Sequence, residues 1–164
     1  MQPLFVRAMD RLAVACAAVA ALLIVVAVTV ITWMVFYRAM GNSTYWEIEL
    51  SIYLMVAALF LGSPYCLMTG GHVGVDLLSH YLAPPMRRRL AVVVALIGLA
   101  VCIFLAVVGA EITFEAFIKG ERTESTWRPY KWPLLLTMPV GMALTALQYV
   151  AELLRHETAA ERTP

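Results

Sequence analysis

Four long stretches of the chain contain no Asp, Glu, Lys or Arg, and they constrain the fold more than any other feature. They are Leu12–Phe36, Leu50–Thr69, Leu90–Ala110 and Pro133–Ala151. Each is about as long as a bilayer-crossing helix, which needs roughly 17–25 residues. Helices are expected because every backbone N–H and C=O group in lipid must be hydrogen-bonded within its own segment. We predict an all-α membrane protein of four transmembrane helices, forming a single membrane domain over residues 1–164.

The composition agrees with a membrane protein that is not an enzyme. Hydrophobic residues make up 62% of the chain and charged residues 14%, whereas about 25% of residues are charged in soluble domains. A net charge of +1 provides no basic field for nucleic acid. Cys16, Cys66 and Cys102 lie in separate apolar stretches, so neither a disulfide framework nor a metal site is predicted. Since no nucleophile triad or phosphate-binding loop occurs either, we expect no catalysis and no cofactor.

The first stretch and the loop charges bear on topology. Arg7 and Arg11 precede Leu12–Phe36 as they would in a signal peptide, but the apolar run is too long and lacks a cleavage site, so an uncleaved helix is expected. The two tails and the second loop together hold seven Lys and Arg residues, and the first and third loops hold five. Because Lys and Arg are in excess in cytoplasmic loops, we predict that both termini are cytoplasmic.

The second loop contains an amphipathic segment. At about 100° per residue, four polar residues of this segment fall on one narrow helical face: His72, Asp76, Ser79 and His80. Apolar side chains cover the rest of residues 72–82, which predicts a short in-plane helix at the membrane interface. The histidine spacing suits neither a compact zinc site nor a buried proton relay. Three arginines follow, which we expect to anchor the next span at cytoplasmic headgroups: Arg87, Arg88 and Arg89.

The first and third loops hold candidate contact residues for the opposite side of the membrane. Thr44–Glu47 has the spacing of a capping box, and Glu49 follows it near the membrane edge. Glu49 has two open interpretations, an interfacial carboxylate stabilised by the positive end of the helix or a partner in a hydrogen bond or ion pair. Residues 121–132 mix both charge signs with aromatic rings, which suits a weak, salt-sensitive encounter with a soluble protein. The candidate contact residues there are Arg122, Glu124, Trp127, Arg128 and Lys131.

The middle of every predicted span lacks an ionisable residue of the Asp, Glu, Lys or Arg type. A transporter that carries ions or charged substrates alone usually places one there, so we expect a scaffold or partner subunit. Two alternatives stay open. A stand-alone four-helix exporter usually needs a carboxylate in the first helix, whose outer half offers only Thr29 and Thr32 as polar side chains. A small membrane enzyme of quinone or thiol chemistry needs paired cysteines or clustered histidines, which this sequence lacks.

Several short motifs occur in an order that resembles one transporter family. The motifs are Glu49-Leu50-Ser51-Ile52-Tyr53-Leu54, then Leu61-Gly62-Ser63, then Gly71-His72-Val73-Gly74-Val75-Asp76-Leu77-Leu78, and later Trp132-Pro133 with Pro139-Val140-Gly141. Together they resemble the small membrane subunit, DctQ-type, of tripartite ATP-independent periplasmic (TRAP) transporters. The Gly-His-Val-Gly-Val-Asp stretch is the most specific of them, and the resemblance covers nearly the whole chain.

The resemblance implies a role that composition alone does not. In this family a large permease subunit, DctM-type, forms the elevator-type pathway, and a soluble periplasmic protein delivers an organic acid to the membrane pair. Uptake is driven by an ion gradient, typically of sodium, and the ion is expected on the large subunit. The small subunit enlarges the rigid scaffold in the bacterial inner membrane and contributes to docking. The candidates for structural or partner-binding roles are then Glu49, His72, Asp76, Arg87, Arg88 and Arg89.

Overall fold

The computed structural model describes residues 4–42, 44–69 and 84–160, and four helices account for most of them. They are α1 (Leu4–Ala39), α2 (Glu47–Met68), α3 (Pro84–Lys119) and α4 (Trp132–Ala160). Each is long and apolar enough to cross a membrane, which confirms the prediction of four transmembrane helices. The predicted in-plane helix over residues 72–82 lies outside the described residues, as do His72 and Asp76.

Two of the helices extend well beyond the uncharged stretches. α1 and α3 have 36 residues each, which is about 54 Å of helix against a hydrocarbon thickness of about 30 Å. Their charged ends therefore stand outside the hydrocarbon layer. α3 ends at Lys119 with its ion pair to Glu115 one turn before, and Gly120 then takes a φ of 60°. Glycine is the favoured residue where a helix ends in a left-handed conformation. The ion pair and the helix end at Gly120 were therefore both predictable from the sequence.

Helices α2 and α4 form the centre of the bundle. α1 packs against both of them, and α3 packs mainly against α4. Residues 40–42, 44–46 and 120–131 lie at the same end of the bundle. There the Tyr53 hydroxyl donates to the Tyr130 carbonyl at 3.0 Å. We call this the loop end. The opposite end, where α1 begins and α4 finishes, is the terminal end.

The inward face of α1 is made of small residues at a constant spacing. Its buried residues are Val6, Ala13, Ala20 and Ala27, seven positions apart. A strict seven-residue repeat keeps one narrow seam of a helix facing its partner. Small side chains let helix backbones approach closely in lipid, where no hydrophobic drive joins helices. Ala20 accordingly lies opposite Gly62 of α2, where an added Cβ would be 3.8 Å from the Ala20 Cβ.

The contact between α2 and α4 is closer still. A Cβ built on Gly141 would be 2.5 Å from the carbonyl oxygen of Phe60, so only glycine fits there without movement. One turn later, the hydroxyls of Thr145 and Ser63 are 2.5 Å apart. Gly141 and Thr145, small residues four positions apart, are therefore sites of close helix contact.

The predicted capping box at Thr44–Glu47 is wrong. α2 begins at Glu47 with Trp46 in the N-cap position, and no side chain caps the helix. The motif fails because the chain turns into the helix at Trp46, which leaves Thr44 outside the first turn. The Thr44 hydroxyl oxygen and the Oε2 atom of Glu47 are both buried without a hydrogen-bond partner.

Candidate functional site

The base of the loop between α3 and α4 is closed by two cross-strand contacts. The Lys131 N–H donates to the Glu121 carbonyl at 3.0 Å. Next to it, Arg122 and Tyr130 form an antiparallel bridge, and the guanidinium carbon lies 4.3 Å from the centre of the tyrosine ring. The ring face attracts the cation, and the Arg122 guanidinium also donates to the Tyr130 hydroxyl at 2.8 Å. This part of the loop is therefore a short, ordered hairpin.

The tip of the hairpin is a tight turn. The Thr123 N–H donates to the Pro129 carbonyl at 3.0 Å, and the Arg128 N–H donates to the Ser125 carbonyl at 3.2 Å. Arg128 has a φ of 48°, a left-handed conformation that residues other than glycine seldom adopt. The surrounding hydrogen bonds hold this residue in place.

The hairpin is fastened to the first two turns of α2. The Ser125 hydroxyl donates to the Glu49 carboxylate, and the Tyr53 hydroxyl donates to the Tyr130 carbonyl. Glu49 also lies in the first turn of α2, where the positive end of the helix stabilises a carboxylate. Both interpretations of Glu49 therefore apply, and its hydrogen-bond partner is within the chain.

The five candidate residues of the loop fall into two groups. Arg122 is engaged with Tyr130, and the Lys131 ammonium lies 3.6 Å from the Glu121 carboxylate. The other three residues have exposed side chains at the tip: Glu124, Trp127 and Arg128. Trp127 is 48% exposed, which is high for a large apolar ring in an ordered loop. The tip therefore presents an aromatic ring flanked by both charge signs.

An ion-pair network at the terminal end was missed by sequence reasoning. The Arg155 guanidinium contacts the Asp10 carboxylate at 2.6 Å and the Glu152 carboxylate at 3.2 Å. The Gln148 amide, which is 1% exposed, donates to the same Asp10 carboxylate at 3.2 Å. The only signal in the sequence was the amide of Gln148 within an uncharged span, since no local pattern relates residues 10 and 155.

Of the three predicted headgroup anchors, the structure describes the side chain of one. Arg89 is exposed near the start of α3, as an anchor requires, and the side chains of Arg87 and Arg88 lie outside the described ones. The contact of all three arginines with lipid headgroups stays a prediction.

Several hydroxyl side chains inside the described helices bond to the backbone of their own helix. Thr29 and Thr32 of α1 each donate to the carbonyl four residues earlier at 2.8 Å, and Ser51 of α2 does the same at 2.8 Å. Within the described residues, no three His, Cys, Asp or Glu side chains come together as a potential metal site. Thr29 and Thr32 thus give no support to the exporter alternative.

Two apolar grooves run along the bundle. The α1/α2 groove has a volume of about 740 Å³, a floor of Ala17, Ala20, Ala27, Ala58, Gly62 and Ser63, and walls that include Ile24, Val28, Ile31, Met55 and Leu59. The α3/α4 groove has a volume of about 660 Å³ and is lined by Ala106, Val107, Ala110, Thr113, Phe114, Phe117, Trp132, Leu136, Pro139, Val140 and Ala143. Both are open to the side, so each offers a surface to lipid or to another helix.

Comparison with known proteins agrees with the resemblance seen in the motifs. Residues 27–159 match the family model described as tripartite ATP-independent periplasmic transporters, DctQ component. The chain is similar to the C4-dicarboxylate TRAP transporter small permease protein DctQ of Pseudomonas aeruginosa, with 31% identity over 112 residues, 67% of this chain and 53% of that protein. It is also similar to the protein of the same name from Rhodobacter capsulatus, with 27% identity over 110 residues, 67% of this chain and 48% of that protein. The chain spans about half the length of these two curated relatives.

Proposed function

Because this chain belongs to the DctQ component family of tripartite ATP-independent periplasmic transporters, we propose that it is the small permease subunit of a binding-protein-dependent uptake transporter for a C4-dicarboxylate. The match of residues 27–159 to that family is the observation that carries the proposal. The substrate class is the one printed in the names of the two relatives. The subunit resides in the bacterial inner membrane and has no catalytic role.

In the proposed complex this subunit widens the stationary scaffold of a large elevator-type permease subunit, DctM-type. The distribution of charge supports this role. No charged residue occurs between Arg11 and Arg38, between Glu49 and Thr69, between Arg89 and Glu111, or between Lys131 and Glu152. The membrane interior of this chain therefore lacks groups that pair with a charged substrate or a coupling ion. Those tasks belong to the large subunit, with sodium as the expected ion.

The α1/α2 groove is the proposed contact surface for a transmembrane helix of the large subunit. It extends along α1 from Ala17 to Ile31, about 21 Å of helix. One leaflet contributes only about half of the roughly 30 Å hydrocarbon thickness, so the groove crosses the bilayer centre. A lipid tail ends there, whereas a transmembrane helix continues, and the floor of small residues lets its backbone approach closely.

The hairpin tip is the proposed docking site for the periplasmic binding protein. Glu124, Trp127 and Arg128 are exposed there, and the bonds to Glu49 and Tyr53 hold the hairpin in one position. A preorganised loop loses little conformational entropy on binding. Exposed charges of both signs favour a rapid, salt-sensitive encounter with a soluble partner.

This orientation requires the loop end to be periplasmic and both termini to be cytoplasmic. A reporter that is active only outside the cytoplasm, fused after Pro164, is expected to stay inactive. An active reporter would reverse the topology and exclude the hairpin as a periplasmic docking site.

Reconstitution in proteoliposomes with an imposed sodium gradient tests the proposed function. This chain alone is expected to give no C4-dicarboxylate uptake, and uptake should appear when the large subunit and the binding protein are both added. Leaving out only this chain should abolish that uptake. Uptake by the chain alone would contradict the scaffold role, and full uptake without the chain would show that the transporter does not depend on it.

A further inference from the structure

The α3/α4 groove is closed toward the loop end by two aromatic rings. Phe117 and Trp132 meet edge to face with their centroids 5.7 Å apart, and both line the groove. The one hydroxyl in its lining belongs to Thr113 and donates to the Gly109 carbonyl of its own helix at 2.6 Å. Because packed protein leaves few voids larger than a water molecule, an apolar groove of about 660 Å³ needs an apolar occupant in the membrane.

The α4 wall of this groove matches one leaflet in length. On α4 the lining runs from Trp132, beside the start of the uncharged stretch at Pro133, to Ala143, about 16 Å of helix. Half of the roughly 30 Å hydrocarbon thickness is about the same. On α3 it runs from Ala106 to Phe117, and the part beyond Ala110 lies outside the uncharged stretch. The aromatic pair at one end fits the membrane interface, where Trp and other amphipathic rings are favoured. The α4 wall of the groove is therefore the right length for an acyl chain of the leaflet at the loop end.

The charges beside the aromatic pair indicate the headgroup. Lys131 directly precedes Trp132, and its backbone N–H bonds to the Glu121 carbonyl, which joins the end of α3 to the start of α4. The Lys131 ammonium and the Glu121 carboxylate are 3.6 Å apart, and their side chains are 40% and 42% exposed. This pair has one positive and one negative group and no net charge. It is therefore complementary to a zwitterionic headgroup, which contains both a phosphate and an N–H donor.

We propose that the α3/α4 groove binds phosphatidylethanolamine from the leaflet at the loop end. One acyl chain lies along the groove, the phosphate accepts hydrogen bonds from Lys131, and the ethanolamine ammonium donates to Glu121. Phosphatidylglycerol offers no cation to Glu121, and phosphatidylcholine has no N–H to donate. Since α3 packs mainly against α4, the bound lipid extends the contact surface between these two helices. The proposal depends only on insertion in a membrane and not on the proposed transport role.

The test is lipid enrichment around the full chain. The chain is reconstituted in nanodiscs with equal amounts of phosphatidylethanolamine and phosphatidylglycerol, and the lipids that stay bound are measured by native mass spectrometry. Wild type is expected to retain a single phosphatidylethanolamine. Ala110→Trp fills the groove and Lys131→Gln removes the positive charge that faces the phosphate. Each should lower retention by about threefold or more, because packing and polar contacts rather than hydrophobic drive hold a ligand in lipid.

Matched controls separate the site from general effects on the fold. Ala100→Trp places the same ring on an exposed position of α3 outside the groove, and Lys119→Gln removes a lysine whose partner Glu115 lies in its own helix. Both should retain the lipid as wild type does. Equal retention in Ala110→Trp or a preference for phosphatidylglycerol would overturn the proposal. Helix content measured by circular dichroism identifies a variant that has failed to fold. If Ala110→Trp does not fold, lipid retention in Lys131→Gln, which leaves the groove shape intact, decides the test.

Discussion

Arg155 near the end of α4 holds Asp10 near the start of α1. Its Nη2 atom lies 2.6 Å from Oδ1 and 2.7 Å from Oδ2 of the carboxylate. This contact joins the first and last helices at the terminal end, whereas the loop end is closed by hydrogen bonds from the hairpin and α2, at Glu49 and Tyr53. The two ends of the bundle are thus fastened by different pairs of elements.

Replacing Asp10 with Asn should lower the free energy of unfolding. The side chains of Arg155 and Asp10 are 29% and 27% exposed, so the loss should be about 1–3 kcal/mol, between the values for surface and buried ion pairs. Thermal unfolding in detergent measures the change. The control is Glu115→Gln, which breaks the exposed pair with Lys119 and should leave stability unchanged. An equal loss in both variants would mean that the Asp10 network is no stronger than a surface pair.

Adding one methyl group at Gly141 should separate α2 from α4. A Cβ there would be 2.5 Å from the Phe60 carbonyl oxygen, so Gly141→Ala should cost about 1–3 kcal/mol of stability through forced backbone movement. Gly62→Ala is the matched control, because its Cβ would meet only the Ala20 Cβ at 3.8 Å. Unfolding of both variants in one detergent compares them. The close-contact interpretation fails if Gly62→Ala is the more damaging change.

Removing the Tyr53 hydroxyl should loosen the hairpin without unfolding the bundle. Tyr53→Phe deletes the donor to the Tyr130 carbonyl, and one such bond contributes about 1 kcal/mol. Hydrogen exchange of the backbone amides in residues 121–131 should therefore become about five- to tenfold faster, while exchange in α4 stays as in wild type. Tyr45→Phe, at an exposed tyrosine of the first loop, is expected to change neither. Unchanged exchange in Tyr53→Phe would show that other contacts suffice to hold the hairpin.

Truncating Trp127 should weaken docking of the binding protein. Trp127 is exposed at the hairpin tip, and aromatic residues of this kind often contribute 2 kcal/mol or more at interfaces, so Trp127→Ala should raise Kd by about tenfold or more. Surface plasmon resonance on the membrane complex measures the change. Trp33→Ala removes another exposed tryptophan, one that stacks on Tyr37 within α1, and should bind normally. Equal affinity of the two variants would exclude the tip as the docking site.

Enlarging a side chain that lines the α1/α2 groove should interfere with assembly. Ala21 lines the groove, and Ala21→Leu should reduce copurification with the large subunit, because a bulky side chain keeps helix backbones apart. Ala15→Leu makes the same change at an exposed position outside the groove and should copurify as wild type does. If only Ala15→Leu reduces recovery, the large subunit binds another face of α1.

The residues of the loop end show what could be predicted locally and what could not. The stop at Gly120 and the Glu115–Lys119 pair follow from spacing within one helix, and both are present. The capping box at Thr44–Glu47 failed because the same four residues allow more than one entry into a helix, and in the structure Trp46 takes the N-cap position. Glu49 was recognised as a candidate, but its partner Ser125 is 76 residues away and no local pattern relates the two.

The sequence by itself determined that the chain forms four helices long and apolar enough to cross a membrane. That result is local, because lipid requires about 17–25 consecutive residues without unpaired charge for each crossing. Only the tertiary structure decided that Arg155 meets Asp10, that the hairpin is fastened to α2, and that two apolar grooves stay open between helix pairs. These features depend on how the helices are placed against one another. In lipid that placement is set by close packing of small residues and a few polar contacts rather than by hydrophobic pattern, so periodicity alone does not encode it.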